Sequence, residues 1–372
     1  MRAGWENKSL KDICSVYGRI GFRGYTKADF VSSPDDGAIT LSPSNIISGE
    51  LRCDKCSYVS WEKYYQSPEI MIFPGDILLV KTASIGKCAL VRFLPHEATI
   101  NPQFVVLKEI KANHQYLTYF LQSPTAQKKF QEFAIGAAVP TFSQKKLEGL
   151  IVPVPSLPEQ QRIVDILDQE FAKIDALKAN AEKSLQAAKD LFREALNHYF
   201  SGKNALLGDV LNLRRGHDLT HSEMEDGSIP VAGSGGIIGY HSIATPISPC
   251  IAVGRSGSVG KVFVYETCWA HNTILYVDDF KGNNPYYLVY LLKSLNLTSY
   301  GGGSAVPTLN RNVLHPLPVG YTSNKKEQAT IVACLDNLND KCNTLQDNYQ
   351  KTLALCDDLK QSLLRKAFNG EL

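Results

Sequence analysis

The chain has 372 residues, of which 44% are hydrophobic and 20% are charged, and its formal net charge at pH 7 is +2. These values describe an ordinary globular composition, long enough for about two domains, and exclude a uniformly basic nucleic-acid-binding protein. No apolar run approaches the roughly 18 residues that span a bilayer.

The cysteine content and the amino-terminal sequence bear on the compartment. Nine cysteines, an odd number spread over both halves of the chain, fit a reducing cytosol better than a disulfide framework. The stretch MRAGWENKSLKDI at 1–13 lacks the apolar core of a signal peptide. We therefore expect a cytoplasmic protein.

Residues 1–155 predict a mixed, strand-rich domain. In the run PGDILLVKTASIGKCALVRF at 74–93, two apolar segments flank a polar turn that contains a glycine, which is the pattern of a β-hairpin. A short helix is predicted over 115–122. This block carries 18 basic and 14 acidic residues.

A long helix is predicted over 156–202. It begins at Ser156–Leu–Pro–Glu159, which resembles a capping box, and Gly202 is placed as a helix-ending glycine. Apolar residues recur at steps of three and four, in the manner of a heptad. They are Ile163, Leu167, Ile174, Leu177, Ala181, Ala188 and Leu191. At 1.5 Å per residue, about 40 residues give a helix of roughly 60 Å.

Residues 203–321 predict a second mixed domain. The run SPCIAVGRSGSVGKVFVYE at 248–266 has the same hairpin pattern as 74–93, and a short helix is predicted over 285–293. The block carries 8 basic and 8 acidic residues. If its partner is DNA, binding must use local basic patches rather than net charge.

A second long helix is predicted over 322–372, with Asn324–Lys–Lys–Glu327 at its start and Gly370 at its end. Its apolar stripe consists of Ile331, Leu335, Leu338, Cys342, Leu345, Tyr349, Thr352, Cys356, Leu359 and Leu363. Because such a stripe is unstable in water without a partner, we expect the two long helices to pair as an antiparallel coiled coil. The alternative is two independent helical hairpins.

The second half of the chain repeats the first. Residues 159–202 align without a gap on 327–370, with 16 of 44 positions identical. Further upstream, AVPT at 138–141 returns at 305–308, SIGK at 84–87 returns as SVGK at 258–261, and LKDICSVYGRIGF at 10–22 corresponds weakly to LGDVLNLRRGHDL at 207–219. The period is too long for a solenoid. The predicted fold is α+β: two similar mixed α/β domains joined by two long antiparallel coiled-coil helices, with pseudo-twofold symmetry.

Three motifs indicate chemistry, but each is incomplete or wrongly spaced. GRSGSVGKV at 254–262 has five residues between its first glycine and Gly260 where a P-loop needs four. NPYY at 284–287 lacks the second proline of the methyltransferase motif that holds a flipped base, and Asn284–Pro285 is better interpreted as a helix start. Cys53 and Cys56 form a lone CxxC without a second pair for zinc. We therefore expect no metal site and no catalytic residue.

A polar and basic set on turns remains, and it occurs in both domains. Arginine can pair with guanine, while Ser, Thr and Lys reach phosphates or base edges, so the set favours nucleic acid although each member alone suits a solvated surface. The candidate DNA-binding residues are Arg19, Arg23, Lys81, Thr82, Ser84, Lys87, Arg214, Arg215, His217, Arg255, Ser256, Ser258, Lys261 and Arg311.

On these features the chain resembles the specificity (DNA-recognition) subunit of type I restriction-modification systems. The most specific part is PVPSLPEQQRIVDIL with its looser copy PLPVGYTSNKKEQATIVACL, each followed by the heptad and closed by FSGK or FNGEL. The resemblance covers nearly the whole chain. It departs from strict symmetry in the longer loop from Pro318 to Glu327.

The resemblance implies two target-recognition domains, 1–155 and 203–321, and two spacer helices, 156–202 and 322–372. It implies that each domain reads one half of a split, asymmetric DNA site and that the chain itself is non-catalytic. Two methyltransferase (modification) subunits and two restriction (motor-nuclease) subunits would bring S-adenosylmethionine, ATP and Mg²⁺. Candidate docking residues for these partners are outward positions shared by both helices. They are Lys173, Lys183, Asp190, Lys341, Lys351 and Asp358.

Two alternatives stay open on the residues alone. The chain could be a DNA methyltransferase or nuclease in its own right, or a coiled-coil scaffold whose globular ends bind proteins. Transfer of a methyl group by the isolated chain would favour the first, and the absence of salt-dependent DNA binding would favour the second.

Overall fold

The computed structural model describes residues 4–19, 24–136, 138–302 and 307–372. The chain forms two compact units. The first comprises Met1–Ala179 together with Leu353–Leu372, and the second comprises Asn180–Thr352. Each unit contains one β-rich domain and a segment of each long helix, which confirms the predicted α+β class.

The first unit holds the elements β1 to β13 and α1 to α6. Its strands are β1 Glu6–Ser9, β2 Ser15–Gly18, β3 Phe30–Val31, β4 Gly37–Leu41, β5 Ile46–Ile47, β6 Glu50–Leu51, β7 Ser57–Ser60, β8 Met71–Ile72, β9 Ile77–Val80, β10 Cys88–Leu90, β11 Ala98–Ile100, β12 Phe104–Lys108 and β13 Ile151–Val154. Its helices are α1 Leu10–Ile13, α2 Trp61–Tyr65, α3 His114–Gln122, α4 Pro124–Phe133, α5 Gln144–Glu148 and the long α6 Leu157–Phe200, which continues into the second unit.

The second unit holds β14 to β22 and α7 to α10. Its strands are β14 Ala205–Leu206, β15 Asn212–Arg215, β16 Ile229–Gly233, β17 Gly236–His241, β18 Cys250–Gly254, β19 Val262–Tyr265, β20 Trp269–Ala270, β21 Ile274–Asp279 and β22 Pro318–Val319. Its helices are α7 Leu207–Val210, α8 Pro285–Ser294, α9 Arg311–Leu314 and the long α10 Lys325–Asn369, which returns to the first unit.

The same four-stranded antiparallel sheet occurs in both units. Its strand order is β10-β9-β12-β2 in the first and β19-β18-β21-β15 in the second. The hairpins β9–β10 and β18–β19 and the helices α3 and α8 lie where the repeated sequence predicts them. Beside this sheet the first unit has the five-stranded sheet β3-β7-β4-β11-β8, and the second has the smaller β17-β16-β20.

The two ends of each domain meet next to a long helix. β1 pairs antiparallel with β13 in the first unit, and β14 pairs with β22 in the second. β13 leads directly into α6, and β22 leads to α10. This pairing holds each domain closed at the start of the helix that follows it.

Each domain core includes residues from both long helices. The first unit buries the start of α6 and the end of α10, and the second buries the end of α6 and the start of α10, at positions related by the repeat. The buried positions are Ile163, Leu167, Leu364 and Phe368 in the first unit and Ile331, Leu335, Leu196 and Phe200 in the second. Domain and helix therefore share one hydrophobic core in each unit.

A buried glutamine at the start of each long helix adds a polar contact to the neighbouring helix of its domain. The side-chain oxygen of Gln160 accepts from the backbone N–H of Asn113, the N-cap of α3, at 2.8 Å. In the second unit Gln328 accepts in the same way from the N-cap of α8, Asn284, at 2.9 Å. Both glutamines are almost fully buried, so loss of either would leave buried polar groups unpaired.

A tyrosine–aspartate hydrogen bond makes a second connection between each domain and its long helix, about two turns beyond the glutamine. The hydroxyl of Tyr119 in α3 donates to Asp168 in α6 at 2.5 Å. In the second unit the hydroxyl of Tyr290 in α8 donates to Asp336 in α10, also at 2.5 Å. The two contacts together fix how each domain sits on its helix.

The helices run antiparallel where they pair. In the first unit Lys178 pairs with Asp357 at 2.8 Å, and Lys360 pairs with Asp175 at 2.5 Å, so ascending numbers in α6 meet descending numbers in α10. α10 ends as predicted, because Gly370 takes a left-handed conformation with φ +77°.

The predicted apolar stripe is wrong at four positions. Leu177, Leu191, Leu345 and Leu359 are exposed. In the first unit the seam, where α6 and α10 pack together, instead contains the residue after each exposed leucine: Lys178 and Lys360 are half-buried and pair with carboxylates of the opposite helix. Long lysine stems can cover apolar surface while the charged ends pair with carboxylates outside, so the polar residue rather than the leucine occupies the seam.

Candidate nucleic-acid interface

The polar turn of each hairpin has the same backbone conformation in both units. Ala83 and Gly257, at equivalent positions, have φ of 66° and 83°, and Gly86 and Gly260 have φ of 86° and 81°. The amide of Gly86 donates to Val80 at 3.0 Å, and that of Gly260 donates to Gly254 at 2.8 Å. Ala83 adopts this conformation although a left-handed alanine is unfavourable, so the rest of the turn imposes it.

A second loop lies against this turn in each unit. Thr82 bridges to Thr141, and Ser256 bridges to Thr308. The hydroxyls of Thr82 and Thr141 are hydrogen-bonded at 2.8 Å. The final threonine of each AVPT segment thus contacts the polar turn of its unit.

In the first unit the described candidates differ in their surroundings. The guanidinium of Arg19 stacks on Tyr25 at 4.2 Å from the ring centre and donates to the carbonyl of Ile100 at 3.1 Å. Its burial lowers the pKa of Arg19 from the usual value. Lys81 is half-buried, while Ser84 and Lys87 are exposed on the turn. Arg23 lies outside the described residues.

In the second unit the structure brings four predicted arginines together. Arg214 and Arg215 from β15, Arg255 from the turn after β18, and Arg311 from the start of α9 line one groove of about 580 Å³. Tyr300, Thr308 and Asn310 lie on the same groove. Arg255 is half-buried and the other three arginines are exposed, so Arg255 forms part of the floor and the rest form the rim.

The groove arginines differ in their internal contacts. Arg215 pairs with Asp218 at 2.7 Å, and Arg214 lies 4.0 Å from Asp278. Arg255 donates to the carbonyl of Asn272 at 3.3 Å. The Arg215–Asp218 pair is exposed on both sides and therefore weak in water, so it orients the Arg215 guanidinium without preventing it from binding an anion.

His315 at the end of α9 holds the arginine-bearing strand in place. Its Nε2 accepts a hydrogen bond from the backbone N–H of Leu213 in β15 at 3.0 Å. Burial, followed by the charges of Arg311 and Lys281, lowers the pKa of His315. The ring is therefore kept in the neutral form that can accept this bond.

The remaining candidates of the second unit lie outside the groove lining. His217 packs between Trp269 and Tyr276, with ring centres 5.3 and 5.9 Å away. Ser256, Ser258 and Lys261 belong to the turn between β18 and β19. His217 stays a candidate DNA-binding residue, and these two rings hold its side chain in place.

The CxxC pair has structural contacts. Asn45 donates to the thiol sulfur of Cys56 at 3.6 Å, and burial raises the pKa of the Cys53 thiol to about 11. Among the described residues, no three His, Cys, Asp or Glu side chains are grouped as metal ligands. Within the same residues, no helix has the length and apolar character of a membrane span.

The comparison with known families decides the identity of the chain. Residues 2–187 and 203–354 match the model of the type I restriction modification DNA specificity domain, one match for each half. The chain belongs to this family. It is a DNA-specificity subunit of a type I restriction enzyme, a non-catalytic recognition subunit.

Individual relatives agree with this assignment. The chain is similar to the type I restriction enzyme EcoBI specificity subunit of Escherichia coli, at 25% identity over 54% of this chain and 42% of that protein. It is also similar to the StySPI specificity subunit of Salmonella potsdam, at 23% identity over 99% of this chain and 89% of that protein.

The fold agrees as well. A chain from a study of complex assembly and conformational transition of the type I R-M system matches with a TM-score of 0.79 and 18% identity, covering 100% of this chain and 99% of the other.

The candidate docking residues of the specificity subunit lie on the surface of the long helices. Lys183, Lys341, Lys351 and Asp358 are exposed and make no ion pair within the described part of the chain. Lys173 pairs with Glu170 and Asp190 pairs with Arg193, both within α6 at 2.7 Å.

Sequence reasoning missed the polar contacts between domain and helix. Gln160, Gln328, Asp168 and Asp336 are polar residues at identical repeat positions beside an apolar stripe. That identity was the available signal, but exposed pairs such as Lys183 and Lys351 share it, so identity alone does not single out the contacts between domain and helix.

Proposed function

We propose that the domains at about 1–155 and 203–321 are separable target-recognition domains, and that each reads one half of a bipartite, asymmetric DNA site. The observation that carries this proposal is the shared sheet and turn, which present different side chains in the two units. Two domains with the same backbone structure but different side chains suit two half-sites of different sequence, because side chains read the base edges.

The helical segments 156–202 and 322–372 act as the spacer in this proposal. α6 has 44 residues and α10 has 45, which corresponds to a length of about 66 Å for each helix. The contacts of each domain with its helix, through shared cores and buried glutamines, would transmit the helix geometry to the reading surface. The length of the unread gap would then be a property of the helices.

The remaining activities of the complex belong to other chains. Two modification subunits would bring S-adenosylmethionine and base flipping, and two motor-nuclease subunits would bring ATP and Mg²⁺. We place the assembly in the cytoplasm. The direct test is binding of duplex DNA by the purified chain, alone and with its modification subunits. A preference for target over scrambled duplex supports the proposal, and equal binding contradicts it.

Arg255 is the leading base contact of the second domain. Changing Arg255 to Ala should weaken binding by about 1–3 kcal/mol and relax specificity at one base pair, because a guanidinium can pair with guanine through two hydrogen bonds. The measurement is the affinity for a panel of single-base variants of the target. Lys81→Ala, at the equivalent position of the first domain, is the matched variant and should affect only the other half-site. A uniform loss on all sequences with a shallower salt dependence would make Arg255 a phosphate contact instead.

Partner docking is tested on the exposed lysines shared by both helices. Reversing the charge at Lys183 and Lys351 together, each to Glu, should weaken co-purification with the modification subunit, since both lysines are exposed and lack an internal partner within the described residues. The control is the same double reversal at Lys55 and Lys281, exposed lysines of the two domains. Unchanged stoichiometry and affinity in the Lys183/Lys351 variant would place both residues outside the interface.

A further inference from the structure

We infer that the groove in the second unit binds DNA backbone phosphates through its rim arginines, and that the second domain thereby supplies most of the salt-dependent affinity. The inference rests on the proposed function and goes beyond it, because it makes the two domains electrostatically unequal. It names Arg214 and Arg311 as the principal phosphate contacts.

All the arginines of the second domain lie in one place. Residues 203–321 contain 8 basic and 8 acidic residues, so the block has no net charge to attract DNA. Its arginines are Arg214, Arg215, Arg255 and Arg311, and all four line the one groove. The lysines of the block lie outside this lining. Arginine suits phosphate because its planar fork can bind two oxygens at once.

The guanidinium charges of Arg311 and Arg214 are available to an anion. Arg311 is exposed, and its side chain makes no hydrogen bond or ion pair to the described residues. Arg214 is also exposed and lies at 4.0 Å from its nearest carboxylate, that of Asp278. Tyr300 and Asn310 add a hydroxyl and an amide to the same groove. The rim therefore offers positive charge and hydrogen-bond donors to an anion of phosphate size.

The first unit lacks this arginine cluster at the equivalent positions. When α1–β2 is aligned on α7–β15, and the two hairpin turns and the two AVPT segments are aligned by the sequence repeat, the four groove arginines correspond to Tyr17, Gly18, Lys81 and Gln144. Only one of these four is a cation. Gln144 is moreover occupied internally, since its amide donates to the carbonyl of Val16 at 2.7 Å and to Glu148 at 3.0 Å.

The net charges of the two domains favour the opposite assignment, with the first domain as the main phosphate-binding domain. Residues 1–155 carry 18 basic and 14 acidic residues, against 8 and 8 in the second block. Net charge would therefore assign the phosphate contacts to the first domain, whereas the position of the guanidinium groups assigns them to the second. An assignment by net charge and an assignment by arginine position therefore predict different outcomes for the same substitutions.

The test uses the full chain in complex with its modification subunits and a fluorescent duplex of about 40 base pairs that contains the target. Arg214→Gln with Arg311→Gln should lower the magnitude of the slope of log affinity against log salt by about 2, since each lost phosphate contact removes about 0.9. Affinity at about 0.1 M salt should fall at least tenfold. The single change Arg311→Gln, at an exposed position, should lower the slope by about 1.

Two control pairs remove the same charge elsewhere. Lys203→Gln with Lys281→Gln removes two exposed lysines of the second block outside the groove lining, and Lys81→Gln with Lys87→Gln removes the turn lysines of the first domain. Both should change the slope by less than the arginine pair. An unchanged slope in the arginine variants, or an equal loss in the first-domain pair, overturns the inference. The ratio of target to scrambled affinity in the unmodified complex tests the proposed function separately.

Discussion

Truncation of Leu335 to Ala should lower the free energy of unfolding by about 2–5 kcal/mol, whereas the same truncation at Leu345 in the same helix should change it little. Leu335 is 0% exposed and packs in the core that α10 shares with the second domain. Leu345 is 40% exposed. Removing a buried leucine loses its contacts and leaves a cavity, while an exposed one loses little of either.

The repeat supplies a matched pair in the first unit. Leu167 is 0% exposed and Leu177 is 55% exposed, so Leu167→Ala should resemble Leu335→Ala and Leu177→Ala should resemble Leu345→Ala. Denaturant and thermal unfolding of the four variants would measure these differences. Equal losses at Leu335 and Leu345 would show that the seam between the helices follows the leucines after all.

The architecture was predictable because it is repeated. A gapless helical match, two polar hairpin turns and two AVPT segments define equivalent elements without any knowledge of contacts. The detailed seam was not predictable in the same way. A leucine and a lysine at adjacent positions both fit the heptad spacing, and only the partner helix decides between Leu177 and Lys178.

The candidate site was predictable as a set of residues but not as an arrangement. Arg214, Arg255 and Arg311 are distant in sequence, and they meet because β15 and β18 belong to the same sheet and α9 packs next to β15. Conversely, Arg19 and His217 are residue types that often lie on the surface, and the sequence did not predict the aromatic rings that contact them. Those rings reach them through packing between distant parts of the chain. Local sequence carries no information about such neighbours.

Replacing residues 203–321 with the equivalent block of a related specificity subunit should change one half of the recognised site and leave the other half and the gap length unaltered. The exchanged block contains the groove and the second polar turn, while both long helices and the first domain remain. β14 and β22 are exchanged together, and the donor block must keep the partners that Asn284 and Tyr290 give to Gln328 and Asp336 of the retained α10. A control hybrid that exchanges residues 1–155 should change the opposite half.

Mapping of methylated bases in host DNA tests the central claim most directly. Cells that carry this gene with its modification partner should show one methylated motif with two specific parts and an unread gap, and cells without the gene should lack it. In cells with the 203–321 hybrid, one part should be replaced while the other part and the gap persist. A continuous motif, or a hybrid that alters both parts or the gap, would contradict the account of two independent readers held by paired helices.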